Sequence, residues 1–582
     1  MTVRGARCVP LLAVLWLAPA FLLHAQTTDK TLQSPAPADT TPADKLTPVP
    51  ETAKESKLPA LPPYMSLEDP TKKKWPDPTG GQSGTGAAPA PDGKGDAHPD
   101  TLTKTDLYDR IAHNWFSINM VWVLLAGCLV MFMQAGFALV ETGLCRAKNA
   151  AHTATMNFMI YPLGCIAFWG YGFAIGWGNW ANGPVPPGYV SPLGPGLNKS
   201  LTEGFGLDPQ FDSANQPTGA FRYGLIGTRG FFLNNLDDVS VMGFFFFMMV
   251  FMDTTATIPT GALAERWAWK NFCLFGLWIA LPYCMYANWV WGGGWLAQSG
   301  LNWKLGHGAV DFAGSGVVHA MGGVIALAGV LVMGPRIGKF NRGRPQAIPG
   351  HNIPMVILGT FILAFGWFGF NAGSSLAGTD LRISTVIVNT MLASVAGPCA
   401  AMLTMAWKGM KPDPSMLCNG MLAGLVAVTA PCAFVDAWAA VVIGGVAGVL
   451  VVFSVLFVEE SGIDDPVGAI SVHGVNGTWG LLALGLFANG KYGHGWNGVV
   501  RETFVARYGS DGVRGLLFGD FGQFIAQLLN AGVVLVFGFV MAYLWFVFSD
   551  RITPLRVPAD VEVQGLDIPE MGASAYPDYA KV

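Results

Sequence analysis

Charge is scarce in this chain. Asp, Glu, Lys and Arg together make up 12% of its 582 residues and the formal net charge is only -4, where a soluble chain of this size would carry roughly twice that charged fraction. Such a balance excludes a strongly basic surface for nucleic acid and argues against a water-soluble globule. Cysteine is equally uninformative: all but one of the nine lie in or beside the expected membrane spans, without paired spacing in loops, so neither a disulfide framework nor a zinc site is indicated. What the chain has instead is apolar length. Hydrophobic residues make up 52% of it and glycine contributes 74 positions, the composition of a polytopic helical membrane protein.

The N-terminus reads as a targeting segment. Arg4 and Arg7 precede the apolar run Val9 to Leu23, which is shorter than a bilayer crossing, and Ala25 offers a cleavage position; residues 1–25 are expected to be a signal peptide, the alternative being an uncleaved first span. Residues 26–106 are rich in Pro, Thr, Ala, Gly and Lys with no apolar periodicity. That composition cannot bury a core, so an extracytoplasmic disordered segment is expected. From residue 107 to 550 the pattern is that of a membrane domain with about eleven spans by length and apolarity, and residues 551–582 form a tail. The expected spans are Ser117 to Val140, Thr155 to Trp177, Val239 to Ala262, Phe272 to Trp291, Phe312 to Met333, Ile353 to Gly373, Ile383 to Trp407, Leu417 to Phe434, Ala437 to Val458, Val467 to Phe487 and Phe521 to Phe548.

Basic residues follow alternate spans: Arg146 and Lys148, Arg266 and Lys270, the group Arg336 to Arg344, Lys408 and Lys411, then Arg551 and Arg556. The positive-inside rule makes these connections cytoplasmic, so the mature N-terminus lies outside and the C-terminus inside, as for a bacterial inner-membrane protein.

Two stretches organise the membrane domain. Asp311 to Gly323 and Asp465 to Gly477 both read D-x-x-G-x-x-x-V-H-x-x-x-G. Each sets a histidine, His319 or His473, inside an apolar span. Ionisable groups at that depth are costly and mark a substrate path by default. The repetition implies an internal duplication, two inverted halves of five helices plus an eleventh, with the paired imidazoles at the repeat interface. Other spans carry aromatic residues: Phe247 and Phe251 in the third, Trp291 at the outer end of the fourth, and Trp367 and Phe370 on one side of the glycine-rich sixth, together with Ser374. Any one such aromatic is ordinarily an interface anchor or packing. Glu141, Lys148, Glu265 and Arg266 are assigned to helix packing or the cytoplasmic face. Asp253, within the third span, either pairs with a neighbouring helix or adds negative charge near Phe251; in the second case Asp253→Ala alters apparent affinity more than selectivity.

With these motifs in place the chain resembles the ammonium transporter family (Amt/Mep/Rh), nearest its microbial and plant Amt branch. The resemblance rests on Phe137 to Gly143, Ala147-Lys148-Asn149, Gly261 to Arg266, Asp311 to His319, His351 to Pro354, Gly366 to Ser374, Val472-His473-Gly474 and Leu566-Asp567. It implies a site by position: Trp291 and Phe251 holding ammonium by its attraction to ring faces, Ser374 accepting one of its hydrogens, Asp311 shaping the outer site, Phe251 and Phe370 stacking as a gate, and His319 and His473 lining the pore below. It also implies a homotrimer, a PII-type cytoplasmic regulator and no cofactor or enzymatic activity. In the tail a methionine, Met571, stands where the family usually has histidine. The chemistry is sensible for the residues themselves. Ammonium and potassium are alike in size and charge, but only ammonium can lose a proton, so a dry tube that admits neutral ammonia separates them. Two other readings remain at this stage: an ammonium sensor with little transport, and a membrane cytochrome whose paired histidines ligate haem.

Overall fold

The structure, a computed structural model, describes residues 104–178, 224–227, 230–234 and 239–577. The expected signal peptide, nearly all of the Pro/Thr-rich segment, most of the first long outer loop and the last five residues lie outside this range.

Among the described residues ten helices are long and apolar enough to cross a membrane, and an eleventh, shorter apolar helix lies among them in sequence. In chain order they are α1 (Ser117–Leu144), α2 (Ala147–Trp177), α3 (Val241–Ala262), α4 (Trp269–Val290), α5 (Ser315–Met333), α6 (Ile353–Gly373), α7 (Arg382–Trp407), α8 (Pro414–Thr429), α9 (Ala437–Glu460), α10 (Ile470–Phe487) and α11 (Phe521–Ile552). The protein is thus a polytopic, mostly helical membrane protein. The expected eighth span ran to Phe434, whereas α8 stops at Thr429 after 16 residues, fewer than a perpendicular crossing needs. Helix α2 begins well before the expected Thr155 and takes in His152, which is fully buried. Phe312, expected as the start of the fifth span, precedes the helix.

Local sequence explains the helix ends and breaks. Asn352, Asp413 and Asp520 accept backbone N–H groups at the first turns of α6, α8 and α11, meeting donors that would otherwise have no partner. Within α4 the helix is interrupted at Ile279, because the ring of Pro282 displaces the carbonyl four residues earlier, that of Trp278. The Tyr171 hydroxyl of α2 donates to the Trp278 carbonyl at 3.3 Å and to that of Leu277 at 2.5 Å. Between α5 and α6 a small hairpin pairs Phe340 with Pro345 and Asn341 with Arg344, turning through Arg342 and Gly343, both at positive φ.

Glycine sets how close the helices come. Along α6 a Cβ added at Gly359, Gly366 or Gly369 would meet backbone carbonyls of α1 at 2.7 to 2.8 Å, so α1 and α6, the first helices of the two halves, pack backbone to backbone. On the face where the basic loops cluster, Arg336 pairs with Asp464 at 2.8 Å and with Glu265 at 3.2 Å, and the Arg146 Nε donates to Glu265 at 2.6 Å. Arg266, fully buried, donates to the carbonyls of Gly334 and Asp464 at 2.9 Å. The tail folds back over this face: Lys148 donates to the Glu562 carbonyl, Asn149 accepts from the Leu566 N–H, and Asp567 accepts from the His152 N–H.

Candidate functional site

The repeated motif has one structural explanation at both copies. Gly314 and Gly468 sit at φ 106° and 81°, a region open to glycine with little cost, and each turns the chain so that the preceding aspartate faces the start of the next helix. Asp311 accepts the N–H groups of Gly314, Ser315, Gly316 and Val317 at 2.8 to 3.0 Å. Asp465 accepts those of Val467, Gly468 and Ile470 at 2.7 to 3.3 Å. Both carboxylates therefore cap the helix that carries the histidine. Those helices open with π-helical turns, Ser315–Ala320 and Ile470–Val475, each containing its histidine. Such widened turns recur at functional sites because they redirect a side chain and free carbonyls for other partners. Here Thr255 donates to the Val318 carbonyl at 3.3 Å and Asn476 to that of Ser471 at 2.9 Å.

The two helices touch where a Cβ on Gly323 would lie 2.1 Å from the Gly474 nitrogen. This close approach brings the imidazoles together: His319 Nδ1 and His473 Nδ1 are 3.2 Å apart, with the rings inclined by 25°. One nitrogen must carry the hydrogen and the other accept it, so the pair shares a single proton in that bond. His319 Nε2 is buried without a hydrogen-bond partner. On one side of His319 lie Trp367, stacked at 5.0 Å, and Phe370 at 5.4 Å. Trp367 is held by its indole N–H, which donates to Thr429 at 2.9 Å.

Above the imidazoles Phe370 stacks on Phe251 with centroids 4.0 Å apart and planes 19° from parallel. The Trp291 ring meets Phe251 edge-on at 6.1 Å. Its indole N–H donates to the Asp311 carbonyl at 2.6 Å, and the missing Cβ of Gly314 admits the ring, since one would lie 3.2 Å from it. Ser374 follows the last turn of α6 and donates its hydroxyl to the Phe370 carbonyl at 2.8 Å, which leaves the oxygen's lone pairs free to accept. The column thus runs Trp291, Phe251, Phe370, His319, His473, with every side chain buried except the part-exposed Trp291.

The sequence-derived site residues therefore converge, but Asp253 does not join them. It lies two positions from Phe251, about 200° around the helix. It is buried, its Oδ1 has no hydrogen-bond partner, and it interacts electrostatically with Tyr161 and Cys165 of α2. Of its two expected placements, its position gives the side towards the neighbouring α2 rather than the site of Phe251. Two neighbours of the imidazoles went unassigned: Trp367, and Phe137 at 6.1 Å from His473. Phe137 opens a motif read for resemblance alone, and its aromatic ring was the available signal.

The sequence model of the Ammonium Transporter Family matches residues 121–576. The chain belongs to this family. Among its members, ammonium transporter Amt2 of Archaeoglobus fulgidus is 43% identical over 467 residues, covering 79% of this chain and 89% of the relative. Ammonium transporter 1 member 3 of Solanum lycopersicum is 31% identical, covering 79% of this chain and 93% of its own length. Of solved structures, one titled Sensor Amt Protein aligns with TM-score 0.63 at 32% identity over 79% of this chain and 99% of its own. Candida albicans Mep2 aligns with TM-score 0.61 at 27% identity over 80% and 91%.

Proposed function

We propose that this protein carries ammonium across the membrane by splitting it. Trp291 and Phe251 recruit the cation by ring-face attraction, an effect of about 1 to 2 kcal/mol in a partly dry site. Ser374 accepts one of its hydrogens, and Asp311 favours the cation through the oriented backbone it holds rather than by contact. Ammonium loses a proton above the Phe251–Phe370 gate; ammonia then moves past the gate and along His319 and His473, donating to and accepting from ring nitrogens. The observation that carries this reading is the 3.2 Å imidazole pair beneath two stacked phenyl rings: a potassium ion could not shed its water there, whereas a neutral molecule with hydrogen-bonding capacity could enter.

The same reading assigns residues 1–25 as a signal peptide, 26–106 as an extracytoplasmic segment, 107–550 as the transport domain and 551–582 as a cytoplasmic regulatory tail, in a bacterial inner membrane with the N-terminus periplasmic. It includes a homotrimeric assembly and a PII-type regulator at the inner face, in the service of nitrogen metabolism. No catalytic turnover or cofactor enters it.

The test is flux in proteoliposomes holding the purified protein beside His319→Ala and Phe370→Ala. Ammonium should evoke uptake that potassium does not, and the histidine variant should lose it or lose its selectivity. Ammonium binding with no flux in the wild type would instead make the protein a sensor.

A further inference from the structure

Beyond His473, on the side away from Trp291, the column opens into a pocket lined by Phe137, Glu141, Leu363, Asn419, Val467 and His473. Glu141 is 2% exposed. A buried carboxyl in a membrane helix is costly, and three helices combine to hold this one. Its Oε2 accepts from the Asn157 amide of α2 and the Thr260 hydroxyl of α3, both at 2.7 Å. Asn157 is itself fixed: its Oδ1 accepts from Thr257 at 3.0 Å and its carbonyl from Gln134 at 2.6 Å, and Gln134 also donates to Thr257. Both side-chain donors thus converge on one carboxyl oxygen, and the group they orient borders the same pocket as the last imidazole of the pore. The residues facing it are Asn157 from α2, Thr260 and Gly261 from α3, Leu363 from α6, Asn419 from α8, His473 from α10, Cys145 at the foot of its own helix, and Asp465. Of these Asp465 is the acidic one, and backbone N–H groups already occupy its oxygens.

We propose that Glu141 is the inner proton acceptor of the transport cycle, receiving through the His319–His473 pair the proton that ammonium gives up and returning it to ammonia as ammonia leaves the pore. The proposal rests on the splitting mechanism above. One N–H bond breaks at the outer end and one forms at the inner end. The proton passes through the imidazoles to the carboxylate, the resulting carboxylic acid donates it to ammonia, and the carboxylate is restored beside the new ammonium. One ammonium and one positive charge cross per cycle, with no other reactant.

The experiment compares wild type, Glu141→Gln and Glu141→Asp in proteoliposomes, recording ammonium-evoked current and the alkalinisation of an interior pH dye over a range of outside pH. Glutamine keeps the size and an acceptor oxygen but cannot take the proton. Its current should fall by about tenfold or more while the dye still reports ammonia entry, and aspartate should retain current with a displaced pH profile. A glutamine variant with unaltered current and pH profile overturns the proposal. So does one that unfolds at the wild-type temperature yet has lost ammonia entry together with current, since Glu141 would then be pore wall. If the glutamine variant does not fold, the aspartate variant decides, an undisplaced profile counting against the proposal. Absence of ammonium flux in the wild type would refute the splitting mechanism itself and is read first.

Discussion

Asp253 and Asp311 look alike as letters, each an acid set in apolar sequence, yet their surroundings give them different consequences. Asp311 accepts four backbone N–H groups, so its charge is shared with the start of a helix. Asp253 has an oxygen with no partner and faces α2. Its removal should therefore cost nothing at the outer site: Asp253→Asn is expected to keep the apparent ammonium affinity within about twofold and to leave the thermal unfolding midpoint unchanged or higher, since an unpaired buried carboxyl is a burden on the fold. A concentration series of ammonium currents checks this, and a change of about fivefold or more would mean that the carboxyl does act on the recruited cation. The sequence could flag both acids as intramembrane but not tell them apart, because which way a side chain faces depends on helix phase relative to neighbours far along the chain. His319 and His473 were legible for the opposite reason. Their repeated surroundings, aspartate, positive-φ glycine and final glycine, encode the same local turn twice.

At the scale of elements the decisive feature is the crossing of the two histidine helices. A Cβ on Gly323 would lie 2.1 Å from the Gly474 nitrogen and 2.4 Å from its Cα, both backbone atoms that cannot move aside alone. Gly323→Ala should force the helices apart, destabilise the protein by about 1 to 3 kcal/mol and break the imidazole contact, so that flux falls by at least about tenfold. Gly445→Ala on α9 is the matching control: nothing lies within 4 Å of its added Cβ, and it should preserve flux and gain up to about 1 kcal/mol from helix propensity. Thermal unfolding and uptake on the same preparations separate the two outcomes. The sequence marked Gly323 and Gly477 as equivalent, but their environments differ, since Gly477 meets the Ser315 carbonyl and the Ala320 nitrogen instead. Nor did it contain a sign of the π-helical turns. Carbonyls in these turns accept from Thr255 and Asn476, contacts that the apolar spacing that located the spans does not encode.

For the whole molecule, the face that carries the basic loops and the docked tail is locked together through buried charge. Arg336 is 4% exposed and bonds both oxygens of Asp464 at 2.8 and 2.9 Å. Burial alone would raise the Asp464 carboxyl, but the Arg336 hydrogen bonds and the Arg266 and Arg336 charges outweigh it and hold the group at about 2. Burial acts on Arg266 in the other sense, and with the nearby Arg336 and Arg556 it lowers that guanidinium to about 10 against the pull of Asp464. A carboxyl depressed from 3.8 to about 2 in the folded state contributes about 2 kcal/mol at neutral pH. That contribution is complete above the unfolded value and is lost as pH falls from about 4 towards 2. The unfolding midpoint of the purified protein should therefore drop across this acid window. Arg336→Ala should lower it at neutral pH by the equivalent of about 3 to 5 kcal/mol, the cost of leaving Asp464 and Glu265 buried beside an empty space. It should also flatten the acid dependence, because the carboxyl then has no depressed pKa to lose. A variant that kept the wild-type slope below pH 4 would mean that some other buried acid sets it, and that this loop face is held by the docked tail rather than by this ion pair.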